Sequence, residues 1–162
     1  MNLFKKKSYF FILLSPLFLV YNFLSDPGYW FDEWATLFSS NPNVSLNEIS
    51  NRIKGYETGI PENVPPYYYL ILRFYFQIFG FTAENGRIFS IIFFLLAIFV
   101  FAVLSKKLLG KNYFLSVLMF SLNPLLIWMA NETRVDTFLV FFCVLNLLIF
   151  FTCINKYSIF YY

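Results

Sequence analysis

The sequence predicts an all-α integral membrane protein with four transmembrane helices and a long external first loop that carries interfacial helices. Of its 162 residues, 59% are hydrophobic and only 13% are charged, about half the charged fraction of an ordinary soluble domain. Long apolar segments alternate with short polar ones, and clusters of lysine lie beside some of the segment ends. Because lysine and arginine concentrate in cytoplasmic loops, these clusters also predict which segment ends face the cytoplasm.

The first predicted membrane helix lies within residues 1–24. Three lysines at positions 5–7 precede an apolar run from Tyr9 to Leu24. A basic start followed by an apolar core also occurs in signal peptides, but the residues around Leu24 lack a small-residue cleavage pattern. We therefore predict an uncleaved first transmembrane helix with its N-terminus in the cytoplasm.

Residues 25–83 follow and are predicted to form the external loop, which is polar as far as about Pro66. It contains Ser45 and Glu48 at the spacing of a capping box, in which the two residues satisfy backbone N–H groups at a helix start. Gly55 lies where it can end that helix. The pattern predicts a short helix that lies on the membrane or on the protein.

An apolar stretch near the end of the loop, Tyr67–Phe81, is predicted to lie in the membrane interface rather than to cross the membrane. As a helix its roughly 15 residues would rise about 22 Å, less than the hydrocarbon core of about 30 Å. The polar side chains of Tyr69, Arg73 and Gln77 recur every four residues and form a stripe that we expect to face water. Arg73 is interpreted as a membrane anchor rather than a catalytic group.

Residues 84–162 are predicted to form a three-helix transmembrane region. Its apolar segments are Ile88–Leu104, Tyr113–Ala130 and Val135–Ile154. Lysines at positions 106, 107 and 111 follow the first segment and predict a cytoplasmic end there. The Asn123-Pro124 pair predicts a break in the second segment, because proline lacks the N–H that continues a helix. With the first helix this gives four spans and two cytoplasmic chain ends.

Charged side chains are predicted to gather at the external ends of these spans. Asp32 and Glu33 follow the first span, Arg87 opens the second, and Glu132 and Arg134 lie between the third and the fourth. We predict Asp32 and Glu33 as catalytic residues, and Arg87, Glu132 and Arg134 as substrate- or phosphate-binding residues. Guanidinium groups can hold a phosphate by paired hydrogen bonds while a carboxylate takes a proton from a hydroxyl. In an alternative interpretation the acids are a solvated pair at a helix start and the arginines are anchors at lipid headgroups.

Asp32 is the preferred candidate for the catalytic base. Its neighbours Phe31 and Trp34 are aromatic, so we expect partial desolvation of its carboxylate, which would strengthen the base. No cofactor is predicted, although Asp32 and Glu33 could ligate a divalent metal with waters completing the shell. The net charge of +3 is small and scattered, which argues against a nucleic-acid partner.

Short motifs along the chain carry a family resemblance. In order they are Phe31-Asp32-Glu33, Val64-Pro65-Pro66-Tyr67-Tyr68-Tyr69-Leu70, Phe79-Gly80, Gly86-Arg87-Ile88-Phe89-Ser90, and Asn123-Pro124-Leu125-Leu126-Ile127-Trp128 through Asn131-Glu132-Thr133-Arg134. The chain resembles the N-terminal part of a C-type glycosyltransferase, and more narrowly the bacterial relatives of the dolichyl-phosphate-mannose–protein mannosyltransferases. In that family the turn after the third span often reads Gln-Glu-Ala-Arg, and many members have His where this chain has Val64.

The resemblance implies a membrane enzyme that transfers a hexosyl or pentosyl group from a polyprenyl-phosphate-linked donor to a lipid, glycan or protein acceptor, with inversion at the anomeric carbon. It implies an essential acidic pair, here Asp32 and Glu33, and an important arginine, here Arg87. It also implies a multi-pass protein of the cytoplasmic (inner) membrane, with membrane lipid as a partner and its site on the external face. Because family members continue for several more spans, we expect this chain to be the N-terminal portion of a longer glycosyltransferase domain.

Two other classes of function stay open at this point. The chain could be a catalytically inactive membrane remnant or an assembly subunit that keeps the fold without turnover. A small transporter or flippase component is disfavoured. Such proteins place polar groups near mid-membrane, and only Asn123 and Asn146 are strongly polar in the middle of the predicted spans.

Overall fold

The computed structural model of the chain describes residues 28, 30–57, 59, 61 and 64–157, with backbone alone at 155–157. The regular structure of these residues is entirely helical, which confirms the all-α class. The helices are α1 (Phe31–Ser39), α2 (Leu46–Ile53), α3 (Pro66–Phe79), α4 (Ala83–Leu109), α5 (Tyr113–Ser121), α6 (Pro124–Ala130) and α7 (Asp136–Tyr157), with a 3₁₀ turn at Gly110–Asn112. The predicted first transmembrane helix lies outside the described residues.

Helix α2 forms where the capping pattern predicts it. The Ser45 hydroxyl accepts a hydrogen bond from the backbone N–H of Glu48 at 3.2 Å, and Gly55 follows the helix with a φ of +76°, a conformation that glycine adopts without strain. Ile49 and Ile53 are buried in a cluster with the apolar residues of α3. The helix therefore lies on the protein, one of the two surfaces that the sequence left open.

Helix α3 begins at Pro66 and ends before Gly80, whose φ is +98°. Its buried side chains are Tyr68, Tyr69, Leu72 and Phe76. The expectation that Tyr69, Arg73 and Gln77 form one stripe facing water is wrong at Tyr69, which is fully buried. The reason is that Tyr69 lies three and seven residues from Leu72 and Phe76, so its large ring falls on the packed face.

Arg73 connects α3 to the loop that follows α1. Its Nη1 donates a hydrogen bond to the backbone carbonyl of Asn41 at 2.8 Å. This contact joins two segments that are 32 residues apart in the chain. The side chain therefore links α3 to the segment that follows α1, and the interpretation of Arg73 as a membrane anchor stays a prediction.

Two segments are long and apolar enough, by length and composition, to cross a membrane: Ala83–Ser121 and Asp136–Ile154. The first is not one straight rod, because Gly110 has a φ of +59° and the rings of Phe101 and Phe120 stack at 4.2 Å. Along a straight helix these two residues would be separated by about 28 Å. Helices α4 and α5 are therefore an antiparallel hairpin that turns at Gly110–Asn112.

The predicted break at Asn123-Pro124 is confirmed. Helix α5 ends at Ser121, and α6 begins at Pro124. The side-chain oxygen of Asn123 accepts hydrogen bonds from the backbone N–H groups of Leu125 and Leu126 at 2.9 and 3.4 Å. This side chain caps the start of α6. Because α5 and α6 are each short, the four-span topology stays a prediction, and two candidate spans are what the described residues provide.

Helix α7 packs parallel to α4. The ring of Phe93 lies 4.8 Å from that of Phe138 and 5.5 Å from that of Phe141, and Lys107 Nζ donates to Thr152 Oγ1 at 2.9 Å. Because the numbers of the contacting residues increase together along both helices, the two helices run in the same direction. The N-terminal ends of α4 and α7 therefore meet at one end of the bundle, and the lysines after residue 105 lie toward the other.

Candidate functional site

Helix α1 docks on the N-terminal ends of α4 and α7 through Glu33. This carboxylate is 0% exposed and receives four hydrogen bonds. Its Oε1 accepts from Arg87 Nε at 2.8 Å and from the backbone N–H and hydroxyl of Thr133, both at 3.0 Å, while Oε2 accepts from Arg87 Nη2 at 2.9 Å. A buried ion pair is tolerable only with this kind of complete hydrogen bonding.

Two further features fix this buried group, which consists of Glu33, Arg87 and Thr133. Arg87 Nη2 also donates to the carbonyl of Gly28 at 2.8 Å, which ties the segment before α1 to α4. A Cβ atom built on Gly86 would lie 2.5 Å from both Oγ1 and Cγ2 of Thr133. Since real Cβ atoms do not approach other atoms so closely, a glycine is needed for α4 to meet Thr133.

Arg134 is the centre of a second, more open group. Its guanidinium lies 3.5 Å from Asp32 Oδ2, 3.5 Å from Glu132 Oε2 and 3.4 Å from Asp136 Oδ2. The Arg134 side chain is 32% exposed. Three carboxylates around one guanidinium give this open group a net negative charge, with each ion pair longer than those of the buried group.

Asp32 differs from the sequence-based expectation in one respect. Its side chain is 62% exposed, so the prediction of partial desolvation is wrong. Successive residues of a helix point about 100° apart, and here Glu33 is the one that turns inward. The neighbouring rings of Phe31 and Trp34 are themselves exposed and therefore do not shield the carboxylate.

Glu132 is the carboxyl of the open group whose protonation the structure perturbs. Burial raises its pKa above the ordinary value, and the nearby charge of Arg134 acts in the opposite direction. The residue lies in the turn between α6 and α7 and is buried. It can therefore hold a proton under conditions in which an exposed carboxyl has lost it.

Several buried polar atoms near the same end have no hydrogen-bond partner among the described residues. They are Tyr68 Oη, Ser90 Oγ, Asn131 Oδ1 and Thr137 Oγ1. Ser90 and Thr137 lie one helical turn beyond the contact of Gly86 with Thr133. Burial also raises the pKa of the Tyr68 phenol, which keeps it neutral as a hydrogen-bond donor. The interior next to the ion pairs is thus more polar than the apolar core below it.

The predicted site residues come together at one end of the bundle but divide into two groups. Glu33 and Arg87 form the buried pair, and Asp32, Glu132 and Arg134 belong to the open group. Sequence reasoning missed Thr133, Gly86 and Asp136. Thr133 and Gly86 lie inside the motifs that carry the family resemblance, and Asp136 lies two residues after Arg134. Their closeness in sequence to the predicted site residues is the signal that could have identified them. Among the described residues, no group of three or more His, Cys, Asp or Glu is arranged to hold a metal ion.

A family model described as dolichyl-phosphate-mannose-protein mannosyltransferase matches residues 63–162. No curated protein and no solved structure matches the chain. The matched region contains α3 to α7 and therefore Arg87, Glu132 and Arg134, whereas Asp32 and Glu33 precede it. The hydrogen bonds of Glu33 to Arg87 and Thr133 connect α1 physically to the matched region.

Proposed function

Because the chain belongs to the dolichyl-phosphate-mannose-protein mannosyltransferase family, we propose that it transfers a sugar from a polyprenyl-phosphate carrier to an acceptor hydroxyl at the membrane surface. The family supports an enzyme of the glycosyltransferase type, and the two long apolar segments fit a membrane protein. The observation that carries the proposal is the placement of an exposed carboxylate, Asp32, on a helix that a buried ion pair holds in position.

Asp32 acts as the general base in this proposal. An acceptor hydroxyl is a poor nucleophile at neutral pH, so its attack on the anomeric carbon is helped when a carboxylate accepts the hydroxyl proton. As the new glycosidic bond forms, the bond from the anomeric carbon to the carrier's phosphate oxygen breaks. The phosphate leaves with the bonding electrons, and the proton stays on Asp32.

Arg134 is the group proposed to stabilise the departing phosphate. Its guanidinium is partly exposed and pairs with the Asp32 carboxylate at 3.5 Å, so the two groups must separate for Asp32 to face the acceptor hydroxyl and Arg134 the departing phosphate on opposite sides of the anomeric carbon. A positive charge at the leaving oxygen is worth most where charge develops in the transition state. Glu132 and Asp136 flank Arg134 and are proposed to orient it.

Arg87 is proposed to act through Glu33 rather than on the phosphate directly. Its side chain is buried, and its Nε and Nη2 already donate to the Glu33 carboxylate. By holding Glu33, Arg87 fixes the rotation of α1 about its axis and therefore the direction in which the Asp32 side chain points. Arg87 and Glu33 are in this sense positioning residues.

The reacting end of the bundle is proposed to face away from the cytoplasm, in a multi-pass protein of the inner membrane. Lys106 and Lys107 lie in the last turn of α4, at the end opposite to Arg87. Lysines concentrate on the cytoplasmic side of membrane proteins. That tendency supports an external site. The donor proposed for this site is a hexosyl or pentosyl group carried on a polyprenyl phosphate.

The test is Asp32→Asn, which keeps the shape of the side chain and removes its basicity. Transfer from polyprenyl-phosphate-linked mannose in isolated membranes should fall about 10²–10⁴-fold, the usual worth of general-base help. Glu84→Gln is the matched control, since it neutralises another exposed carboxylate at the same end of the bundle and should leave transfer nearly unchanged. Near-normal transfer by Asp32→Asn would move the base to another carboxylate of the open group, Glu132 or Asp136.

A further inference from the structure

The hydroxyl of Tyr68 is buried beside the open group and has no hydrogen-bond partner among the described residues. Tyr68 is the third residue of α3 and is 0% exposed. Its ring packs edge-on against that of Phe138 at 5.5 Å, and Phe138 lies in the first turn of α7, which begins at Asp136. A buried hydroxyl without a partner lowers the stability of the resting protein, so its presence at this end of the bundle calls for a reason.

The charges of the open group act on this hydroxyl. Burial raises the pKa of the Tyr68 phenol, and among the charged residues Asp136 raises it most, while Arg134 lowers it. The phenol therefore keeps its proton. A carboxylate is the kind of acceptor with which that proton forms the strongest hydrogen bond. In the resting protein the Asp136 carboxylate is instead paired with Arg134, through Oδ2 at 3.4 Å.

The three carboxylates around Arg134 differ in what can replace the guanidinium when it turns to a phosphate. Asp32 is 62% exposed, so water can solvate it. Glu132 is buried, and because burial raises its pKa it can take up a proton. The Asp136 side chain is only 25% exposed, which restricts its hydration. A hydrogen-bond donor from the protein would stabilise this third carboxylate.

We infer that Tyr68 is a positioning residue whose hydroxyl donates a hydrogen bond to Asp136 once Arg134 leaves that carboxylate. The inference rests on the role proposed for Arg134 in sugar transfer. In the resting state Arg134 compensates Asp136 and the hydroxyl is unpaired. In the second state the hydroxyl pairs with Asp136, and the guanidinium faces the departing phosphate. The new hydrogen bond stabilises only the second state, so it lowers the cost of reaching that state.

A double-mutant cycle on unfolding tests the inference without a substrate. The full chain in detergent is titrated with denaturant. Tyr68→Phe removes an unpaired hydroxyl, so the midpoint should stay the same or rise. Arg134→Met removes the guanidinium and puts no donor in its place. In that background Tyr68 should already be bonded to Asp136, and Tyr68→Phe should lower the midpoint.

Tyr67→Phe is the matched control for both measurements. The neighbouring Tyr67 ring is exposed, and loss of its hydroxyl should shift the midpoint equally in the two backgrounds. In isolated membranes supplied with polyprenyl-phosphate-linked mannose, Tyr68→Phe should lower transfer at least about tenfold, the usual worth of a hydrogen bond to a charged group. Tyr67→Phe should leave transfer nearly unchanged.

Three outcomes would overturn the inference. A lower midpoint for Tyr68→Phe in both backgrounds would mean that the hydroxyl has another partner in the resting fold. An unchanged midpoint in both would mean that the hydroxyl does not reach Asp136. Normal transfer by Tyr68→Phe would mean that the bond plays no part in the reaction. If the midpoint falls only beside Arg134→Met while the wild type transfers no sugar, the bond between Tyr68 and Asp136 stands and the proposed function fails.

Discussion

Two adjacent carboxylates, Asp32 and Glu33, have opposite environments in this protein. Glu33 is fully buried and receives four hydrogen bonds of 2.8–3.0 Å. Asp32 is largely exposed, and the ion pair at its carboxylate is a 3.5 Å contact with Arg134. The same functional group, one position apart, thus fixes the fold in one case and remains accessible to a ligand in the other.

The difference follows from how each charge is compensated. In the buried group one carboxylate meets one guanidinium in a two-point geometry, which compensates the loss of hydration of both. In the open group three carboxylates share Arg134, so no single pair is complete. An incompletely compensated, partly hydrated group can exchange hydrogen-bond partners at low cost, whereas the buried pair cannot.

The largest expected effect is the loss of the buried pair. Glu33→Ala leaves the Arg87 guanidinium buried without its carboxylate, and breaking such a pair from one side costs about 3–5 kcal/mol. The free energy of unfolding in detergent, from a denaturant titration, measures it. Asp32→Ala is the matched control and should change that free energy by about 0–1 kcal/mol, as for exposed pairs. Similar losses in both variants would remove the distinction between the two groups.

A second, smaller effect is expected from Gly86→Ala. The added methyl would lie 2.5 Å from Thr133 Oγ1, so Thr133 must shift and weaken its hydrogen bonds to Glu33. Overpacking of this kind costs about 1–3 kcal/mol, measurable by the same titration.

A double-mutant cycle tests the cause of that loss. In a Thr133→Ala background the atoms that the new methyl meets at 2.5 Å are absent, so Gly86→Ala should cost much less there. An equal cost in both backgrounds would mean that the glycine serves the helix itself and not the contact with Thr133.

The features that could be predicted from sequence depend on local signals. Ser45 caps α2, and Asn123-Pro124 separates α5 from α6, because each motif acts on backbone groups within a few residues. The gathering of Asp32, Arg87 and Arg134 at one end also followed from the sequence, since alternating apolar segments fix which ends meet.

The features that could not be predicted depend on contacts between distant residues. Nothing local says which of Asp32 and Glu33 turns inward, because the choice depends on a partner, Thr133, that is 100 residues away. The hydroxyl of Tyr69 predicts a place in a stripe that faces water, but the packing of α2 and α3 buries its ring. Gly86 lies in one of the motifs that carry the family resemblance. The need for glycine there, which is the close approach of Thr133, is visible only in the folded chain.

The smallest expected effect is a pH dependence of the free energy of unfolding that Glu132 causes. Its sign shows whether burial of this carboxyl or its ion pair with Arg134 has the larger effect. Burial raises the pKa of this carboxyl in the folded state. The folded protein therefore binds the proton more readily than the unfolded chain does, and the stability from this group is full at low pH and is lost as the pH rises through the raised pKa.

Glu132→Gln mimics the protonated form. Its free energy of unfolding should therefore gain on that of the wild type as the pH rises from acidic to neutral, within about 1 kcal/mol because the pair with the partly exposed Arg134 opposes the effect. Denaturant titrations of both proteins across that range measure the difference. If Glu132→Gln instead loses stability relative to the wild type as the pH rises, the ion pair with Arg134 outweighs burial. The ion pairs of the open group are then stronger than their comparison with the buried Glu33–Arg87 pair indicates.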